Sequence, residues 1–203
     1  SASDQATVRA SSGITGLPAS IISGSFTQIG SDINGEAAID YSGYSVSLSS
    51  DGSVVAIGAI LNDGNATRSG HVRIYKNING TWTQIGSDID GEAYHDYSGY
   101  SVSLSDDGSI VAIGAPYDAY SSGLSAGYTR IYKNTNGTWT QIGSDIDGEA
   151  AGDQSGRSVS LSSDGSVVAI GAYRNDGNGS NSGHVRIYKN ENNNWIKVGG
   201  DID

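Results

Sequence analysis

Tyr44-Ser-Val-Ser-Leu-Ser-Ser-Asp-Gly-Ser-Val-Val-Ala-Ile-Gly-Ala59 is the stretch that decides the fold, because the chain contains it three times. It returns with few changes at residues 100–115 and 157–172, so the copies start 56 and 57 residues apart. Each copy is followed by a segment like residues 70–77 and then by a segment built around a Trp, as at residues 80–93. A fixed period of this length is typical of repeat proteins such as solenoids and propellers.

Four runs in each repeat predict short strands. Residues 45–49 alternate Ser with Val or Leu, and residues 54–59 are the continuous apolar run of a strand covered on both faces. Residues 72–76 and 82–85 mix β-branched and aromatic residues with polar ones. Asp51-Gly52 and Asn79-Gly80 predict tight hairpins with the positive φ of primed turns. Four antiparallel strands in about 56 residues, repeated in tandem, predict an all-β fold of β-propeller blades.

The repeats divide the chain into a leader and a repeat domain. Residues 1–24 match nothing else in the chain and predict an irregular or partner-contacting segment, whereas residues 25–203 form the propeller-like domain. Because propellers usually have four to eight blades, three copies predict a propeller that is incomplete or is completed by oligomerisation. We therefore expect self-association. The predicted blades cover about residues 44–99, 100–156 and 157–203, with an extra strand at residues 26–30.

Composition and charge exclude several classes of protein. The 203 residues include no Cys, which excludes a disulfide framework and a thiolate metal site. A formal net charge of −11 argues against nucleic acid as a partner. The sequence contains no run of about 18 apolar residues, so no membrane insertion is predicted. No Gly-x-Ser-x-Gly elbow has a plausible His partner, and the carboxylate pairs recur in every copy. The sequence predicts no catalytic residues and therefore a chain that is not an enzyme.

Three motifs resemble the FG-GAP repeat of integrin α-chain-type β-propellers: Ser-Gly-Tyr-Ser-Val, Val-Ala-Ile-Gly-Ala and Gly-His-Val-Arg-Ile-Tyr. The resemblance covers about residues 26–203, although the family's Phe-Gly is Ser-Gly here and its Gly-Ala-Pro is complete only at residues 114–116. The calcium loop of many members is reduced to Asp-Gly at residues 51–52, 107–108 and 164–165, which leaves too few oxygens for calcium.

The resemblance implies a non-enzymatic binding or adhesion module, located outside the cell or at a cell or particle surface. Its loops would bind a protein or a glycan. The alternative is a structural subunit of a surface layer, fibre or virion that mainly contacts copies of itself.

A recurring acidic loop is the best metal candidate. Its oxygen-bearing side chains at relative positions 1, 3, 5 and 9 resemble the start of an EF-hand loop, but Gly stands fourth instead of sixth and no Glu follows at twelve. The alternatives are a weak Ca²⁺ site, turn formation through side-chain-to-backbone bonds, and a ligand rim. No other cofactor is predicted. The candidate ligands are Asp88, Asp90, Glu92, Asp96, Asp145, Asp147, Glu149 and Asp153.

Arg73, Arg130 and Arg186 occupy the same position in the three copies. They predict either ion pairs with carboxylates of a neighbouring blade or a basic ring for an acidic glycan, and recurrence in every copy favours the ion pairs. His71 and His184 are also equivalent, but the second copy has Tyr128 there, so no shared imidazole chemistry is predicted.

The loop after the second strand of each repeat varies between the copies. Binding residues tend to lie on variable loops of a rigid scaffold, and Tyr is a contact residue of low conformational entropy. The predicted ligand-binding residues are Tyr117, Tyr120, Tyr173 and Arg174.

Overall fold

The structure is a computed structural model that describes residues 27–117 and 126–203. The predicted leader (residues 1–24), the start of the predicted extra strand (residue 26) and Tyr120 lie outside the described residues. Within the described ranges the chain is entirely β-structure and turns, and no helix there could cross a membrane.

Each repeat folds into one antiparallel sheet whose four main strands follow in sequence order, as predicted. The first sheet contains β1 (Ser42–Leu48), β2 (Val54–Ala59), β3 (His71–Ile78), β4 (Thr81–Gln84) and β5 (Ile89–Asp90). The second contains β6 (Ser101–Leu104), β7 (Ile110–Ala115), β8 (Tyr128–Thr135), β9 (Thr138–Gln141) and β10 (Ile146–Asp147). The third contains β11 (Ser158–Leu161), β12 (Val167–Ala172), β13 (His184–Glu191) and β14 (Asn194–Lys197). We call these sheets blades 1, 2 and 3.

The short strands β5 and β10 are additions to the predicted pattern. β5 pairs with the beginning of β3, beyond the point where β4 ends, with His71 opposite Asp90 and Val72 opposite Ile89. In blade 3 a single antiparallel bridge between Val185 and Ile202 takes the same place. The acidic loop after β4 is therefore held beside the buried start of β3.

The two hairpin predictions have different outcomes. Asn79 and Gly80 both have positive φ, 53° and 85°, as a primed two-residue turn requires. In the Asp51-Gly52 hairpin only Gly52 has positive φ (70°), and its N–H donates to the Ser49 carbonyl at 2.9 Å. The prediction of a primed two-residue turn there is wrong, because four residues separate Ser49 and Val54, which the Ser49 N–H and the Val54 carbonyl join at 2.9 Å, and only the glycine among them is left-handed.

Residues 27–30, where the sequence predicts an extra outer strand, form no strand in the structure. The segment nevertheless keeps the contact that its copies make, because the Ile29 carbonyl accepts a hydrogen bond from Trp82 Nε1 at 2.8 Å. Trp139 and Trp195 donate in the same way to the carbonyls of Ile85 and Ile142, at 2.8 and 2.9 Å.

The hydrophobic core lies between successive blades. One cluster joins apolar residues of β2 and β3 to those of β6 and β7, and a second joins blades 2 and 3. Val102 and Leu104 of β6 are only 9% and 7% exposed, because they pack in the first cluster. Their equivalents in β1, Val46 and Leu48, are 64% and 59% exposed. Burial of the first strand of a blade, which we call its innermost strand, therefore depends on a preceding blade.

The backbones of neighbouring blades approach closely beside the innermost strands. Ser45 Oγ donates to the Gly99 carbonyl at 2.6 Å, and Ser101 Oγ donates to the Gly156 carbonyl at 2.8 Å. A Cβ atom built on Gly58 or Gly114 would lie 2.9 Å from the carbonyl carbon of Gly99 or Gly156, closer than real Cβ atoms come. These glycines are required by the approach of the next blade.

Candidate functional site

Three buried carboxylates, Asp40, Asp96 and Asp153, organise the acidic loops from within. Asp96 Oδ2 accepts hydrogen bonds from the backbone N–H groups of Glu92 and Ala93, at 3.1 and 2.7 Å. The backbone N–H groups of Ala37 and Ala150 donate in the same way to Asp40 and Asp153, each at 3.1 Å. The structure therefore places the predicted metal ligands Asp96 and Asp153 as turn-forming residues.

The other carboxylates of each loop have different partners. Asp88 Oδ1 accepts from Gln84 Nε2 at 2.6 Å, whereas Asp145 binds the guanidinium of Arg130 at 2.9–3.0 Å. Asp90 lies on β5, where burial raises the pKa of its carboxyl group. Asp147 lies on β10, and its backbone carbonyl accepts from Arg186 Nη2 at 2.6 Å. In the described residues the carboxylates of one loop thus do not surround a common point.

The Glu of each loop reaches the Arg of the following blade. Glu36 Oε1 is 3.5 Å from Arg73 Nη1, Glu149 Oε1 is 3.5 Å from Arg186 Nη1, and Glu92 pairs with Arg130. The three arginines are buried, and the hydrogen bonds that Arg130 donates to Asp145 raise the pKa of Arg130 against the opposing effect of burial. The predicted ion pairs with a neighbouring blade are confirmed.

The hairpins that resemble reduced calcium loops do not fit a calcium ion. Asp51 Oδ1 accepts from the Ser53 backbone N–H at 2.9 Å and from Ser49 Oγ at 2.8 Å. Asp107 and Asp164 make equivalent bonds in their hairpins. One carboxylate that already holds its own turn cannot supply the six to eight oxygens that Ca²⁺ takes.

Carboxylates do converge with a histidine at two blade boundaries. Glu36, His71 and Asp88 each offer a ligand atom, and the three atoms lie within 4.8 Å of one another. Glu149, His184 and Asp201 form an equivalent group. Asp88 and Glu149 are candidate ligands that the sequence predicted. The structure places Asp88 beside His71 and Glu149 beside His184, and the sequence predicted neither histidine as a ligand. A signal was present in the sequence, because both histidines recur at one position of the repeat.

A second cluster lies where the variable loops meet the beginnings of the innermost strands. We call Tyr44, Tyr97, Tyr100, Tyr117, Arg157, Tyr173 and Arg174 the aromatic–arginine surface. The guanidinium of Arg157 lies 4.3 Å from the ring centre of Tyr100 and 5.1 Å from that of Tyr173. The rings of Tyr97 and Tyr117 meet edge to face with centres 5.2 Å apart. Such packing holds the side chains in place before any partner binds.

Three of the predicted ligand-binding residues, Tyr117, Tyr173 and Arg174, belong to this surface. Sequence reasoning missed Tyr100 and Arg157, which come from the repeated part of the chain. Tyr44, Tyr100 and Arg157 occupy the same position in the three copies of the repeat. The change from Tyr to Arg in the third copy was the signal that could have identified this position as a candidate binding position.

The tandem four-stranded sheets and their loop surface define a β-propeller-type repeat module. The FG-GAP repeat model matches residues 34–75 and 145–188. The resemblance to the FG-GAP repeat that the sequence predicts is confirmed over these two segments. No curated protein matches the chain.

Solved structures resemble this chain at low sequence identity. A proposed 6-phosphogluconolactonase from Bacteroides uniformis is 17% identical with a TM-score of 0.53, and the match covers 77% of this chain and 39% of that one. Sqt1 from Saccharomyces cerevisiae is 12% identical with a TM-score of 0.49, with 78% and 35% of the two chains covered. This chain spans less than half the length of either protein, and the first likeness shows the fold alone.

Proposed function

We propose that the chain is a non-enzymatic binding and adhesion module that presents the aromatic–arginine surface to a glycan or protein, outside the cell or at a cell or particle surface. The observation that carries the proposal is the position of the Arg157 guanidinium, which lies over the rings of both Tyr100 and Tyr173. The FG-GAP repeats support a scaffold role for the rest of the chain.

The chemistry of this surface suits a flat polar partner. Tyr rings bury a large area at low entropic cost and keep a hydroxyl for hydrogen bonds, and Arg adds a planar group with several donors. Tyr173 is 44% exposed and Tyr44 is 45% exposed, so part of each side chain is available to a ligand. The contacts with Tyr100 and Tyr173 hold the Arg157 side chain in place, which reduces the conformational entropy that it loses on binding.

A glycan array probed with the full chain tests this function. We expect a defined set of bound glycans and a loss of about tenfold in affinity for Tyr173→Ala or Arg157→Ala, since one well-packed aromatic contact contributes roughly 1 kcal/mol beyond the area it buries. Ile78→Ala is the matched control, because Ile78 is exposed in the β3–β4 hairpin at the outer edge of blade 1. Absence of any bound glycan or protein, or equal losses in all variants, would refute the proposal.

A structural subunit that contacts copies of itself is the second candidate, and the exposed Val46 and Leu48 favour it. A second chain could cover β1 as blade 1 covers β6. Light scattering at micromolar concentration, on the full chain and on one lacking residues 1–24, distinguishes the two candidates. A monomer of 20.8 kDa that binds a glycan supports the binding module, whereas a large assembly without ligand supports the structural role.

A further inference from the structure

We propose that the chain binds a divalent first-row transition metal ion, of the Zn²⁺ class, at the boundary that precedes blade 1 and at the boundary between blades 2 and 3. The first site consists of Glu36, His71 and Asp88, and the second of Glu149, His184 and Asp201. Each site takes its Glu from the loop before a blade and its His and Asp from the blade itself.

The buried histidine is the observation that points to a ligand. His71 is 1% exposed, and neither of its ring nitrogens has a hydrogen-bond partner in the described part of the chain. A buried imidazole without partners is costly, because it loses its bonds to water. Its Nδ1 faces Asp88 Oδ2 at 3.7 Å and Glu36 Oε2 at 3.9 Å. His184 repeats these distances, with Asp201 at 3.9 Å and Glu149 at 4.0 Å from its Nδ1, and its buried Nε2 has no hydrogen-bond partner among the described residues.

The distances are close to those of a metal centre. Zn²⁺ holds nitrogen and oxygen ligands at about 2.0–2.2 Å, which puts two tetrahedral ligand atoms about 3.3 Å apart. The separations between imidazole and carboxylate atoms, 3.7–4.0 Å, exceed this by about 0.4–0.7 Å, and all three ligand atoms of each site lie within 4.8 Å of one another. Glu36 is 47% exposed and Asp88 is 27% exposed, so both can move inward and the ion can enter from solvent.

The electrostatics also favour a cation. Two carboxylates, those of Glu36 and Asp88, face Nδ1 of the buried His71. Arg73 contacts Glu36 through Oε1 and donates to the Asn34 carbonyl at 2.7 Å, which leaves Glu36 Oε2 facing the histidine. One imidazole with two carboxylates is a nitrogen–oxygen donor set suited to Zn²⁺ and its neighbours, whereas Ca²⁺ takes oxygen ligands only.

The boundary between blades 1 and 2 shows what happens when the histidine is absent. Tyr128 replaces it, and the Arg130 guanidinium lies 4.6 Å from the Tyr128 ring centre. Arg130 then binds both Asp145, at 2.9–3.0 Å, and Glu92. The guanidinium occupies the place between the carboxylates, so this boundary is an internal negative control. In the two histidine boundaries the Arg also contacts the Glu, at 3.5 Å, but it donates to a backbone carbonyl, that of Asn34 or Asp147, and not to the Asp of the site.

The two sites differ in one competing charge. Lys197 pairs with Asp201 and lies 3.5 Å from Glu149 Oε1, whereas the equivalent residue at the first site is the neutral Gln84. We expect tighter binding at the first site for this reason.

Equilibrium dialysis of the full chain against Zn²⁺, with the metal counted by mass spectrometry, tests the proposal. We expect two bound ions, one of them in the micromolar range or tighter, and a thermal melt raised by the metal. Glu36→Gln and His71→Gln should each weaken the tighter site by more than about tenfold, since even an outer-shell partner contributes 10–100-fold to metal affinity. Lys197→Gln should strengthen the weaker site.

The controls separate metal ligation from misfolding. His95→Gln removes a histidine outside both groups and should leave the number of ions at two. Glu36 is half exposed, so Glu36→Gln should fold even where His71→Gln does not. The proposal is overturned if Zn²⁺ does not bind, if the Glu36 and His71 variants bind as the parent does, or if His95→Gln loses an ion. A melting temperature that rises with millimolar Ca²⁺ and not with Zn²⁺ would also overturn it.

Discussion

Replacement of Gly114 by Ala tests whether blade boundaries, and not the blades themselves, demand glycine. A Cβ on Gly114 would lie 2.9 Å from the Gly156 carbonyl carbon and closer still to its oxygen, whereas ordinary contact begins at 3.4 Å. Blade 3 would therefore have to retreat by about 0.5 Å or more, and the bond from Ser101 Oγ to the Gly156 carbonyl would be lost. Gly171 is the equivalent residue of blade 3, and there a Cβ would meet only Ser158 of its own blade.

The expected free energies follow from these contacts. Overpacking a boundary costs roughly 1–3 kcal/mol, and a lost hydrogen bond costs about 1 kcal/mol. Ala regains about 0.5–1 kcal/mol relative to Gly in a strand. Gly114→Ala should therefore destabilise the chain by roughly 1.5–3 kcal/mol, which corresponds to about 3–12 °C in melting temperature for a chain of this size. Gly171→Ala should be neutral or slightly stabilising, because the Ser158 hydroxyl can rotate away.

Urea unfolding followed by Trp fluorescence measures both values. The measurement needs a concentration at which light scattering reports a monomer, and an unchanged m-value for each variant. Equal destabilisation by the two substitutions in the monomer would refute the reasoning, because it would mean that the strand itself requires glycine. Gly58→Ala should behave like Gly114→Ala, since its Cβ would meet Gly99 in the same way.

Two further predictions concern hydrogen bonds that recur in the repeats. Trp139→Phe keeps most of the ring but removes the donor to the Ile85 carbonyl. Thermal melts should show that the unfolding free energy falls by roughly 1 kcal/mol, more than for Trp82→Phe, whose hydrogen bond is exposed. Equal decreases for the two variants would count against this reasoning. The hairpin bonds from Ser162 and Ser166 lower the pKa of Asp164 from 3.8 to about 2. The stability that they supply is present above pH 4 and is lost as the pH falls through the folded pKa, so Asp164→Asn should flatten the decline of the unfolding free energy between pH 4 and 2. An unchanged slope in acid titration of that variant would contradict the assignment.

The sequence predicts the blades well because each strand and turn is specified within one repeat. The run Val54–Ala59 is a strand with the predicted bounds, and Asn79-Gly80 forms the predicted turn. The Asp51-Gly52 turn was assigned wrongly, since the pair is compatible with loops of two lengths and only the cross-strand register decides between them. β5 was missed because a strand of two residues has no periodicity.

The candidate sites depend on contacts between repeats, which local patterns do not encode. The sequence places Asp88 in an acidic loop, but it does not show that His71 lies beside it through β5 pairing or that Glu36 arrives from the preceding loop. The Arg ion pairs were predictable because they recur in every copy. The contacts of Arg157 with Tyr100 and Tyr173 were not predictable, because the two tyrosines come from different repeats.

The indole bonds of Trp82, Trp139 and Trp195 have a consequence for how such chains change over evolutionary time. Each indole donates to the repeat before it, and Gly58 and Gly114 meet the following blade in the same way. Insertion or deletion of one whole repeat would leave the atoms of every other boundary unchanged, since each repeat contacts only its neighbours. Unequal recombination can therefore alter the number of repeats in a single step without requiring compensating substitutions, and the interfaces themselves do not specify how many there should be.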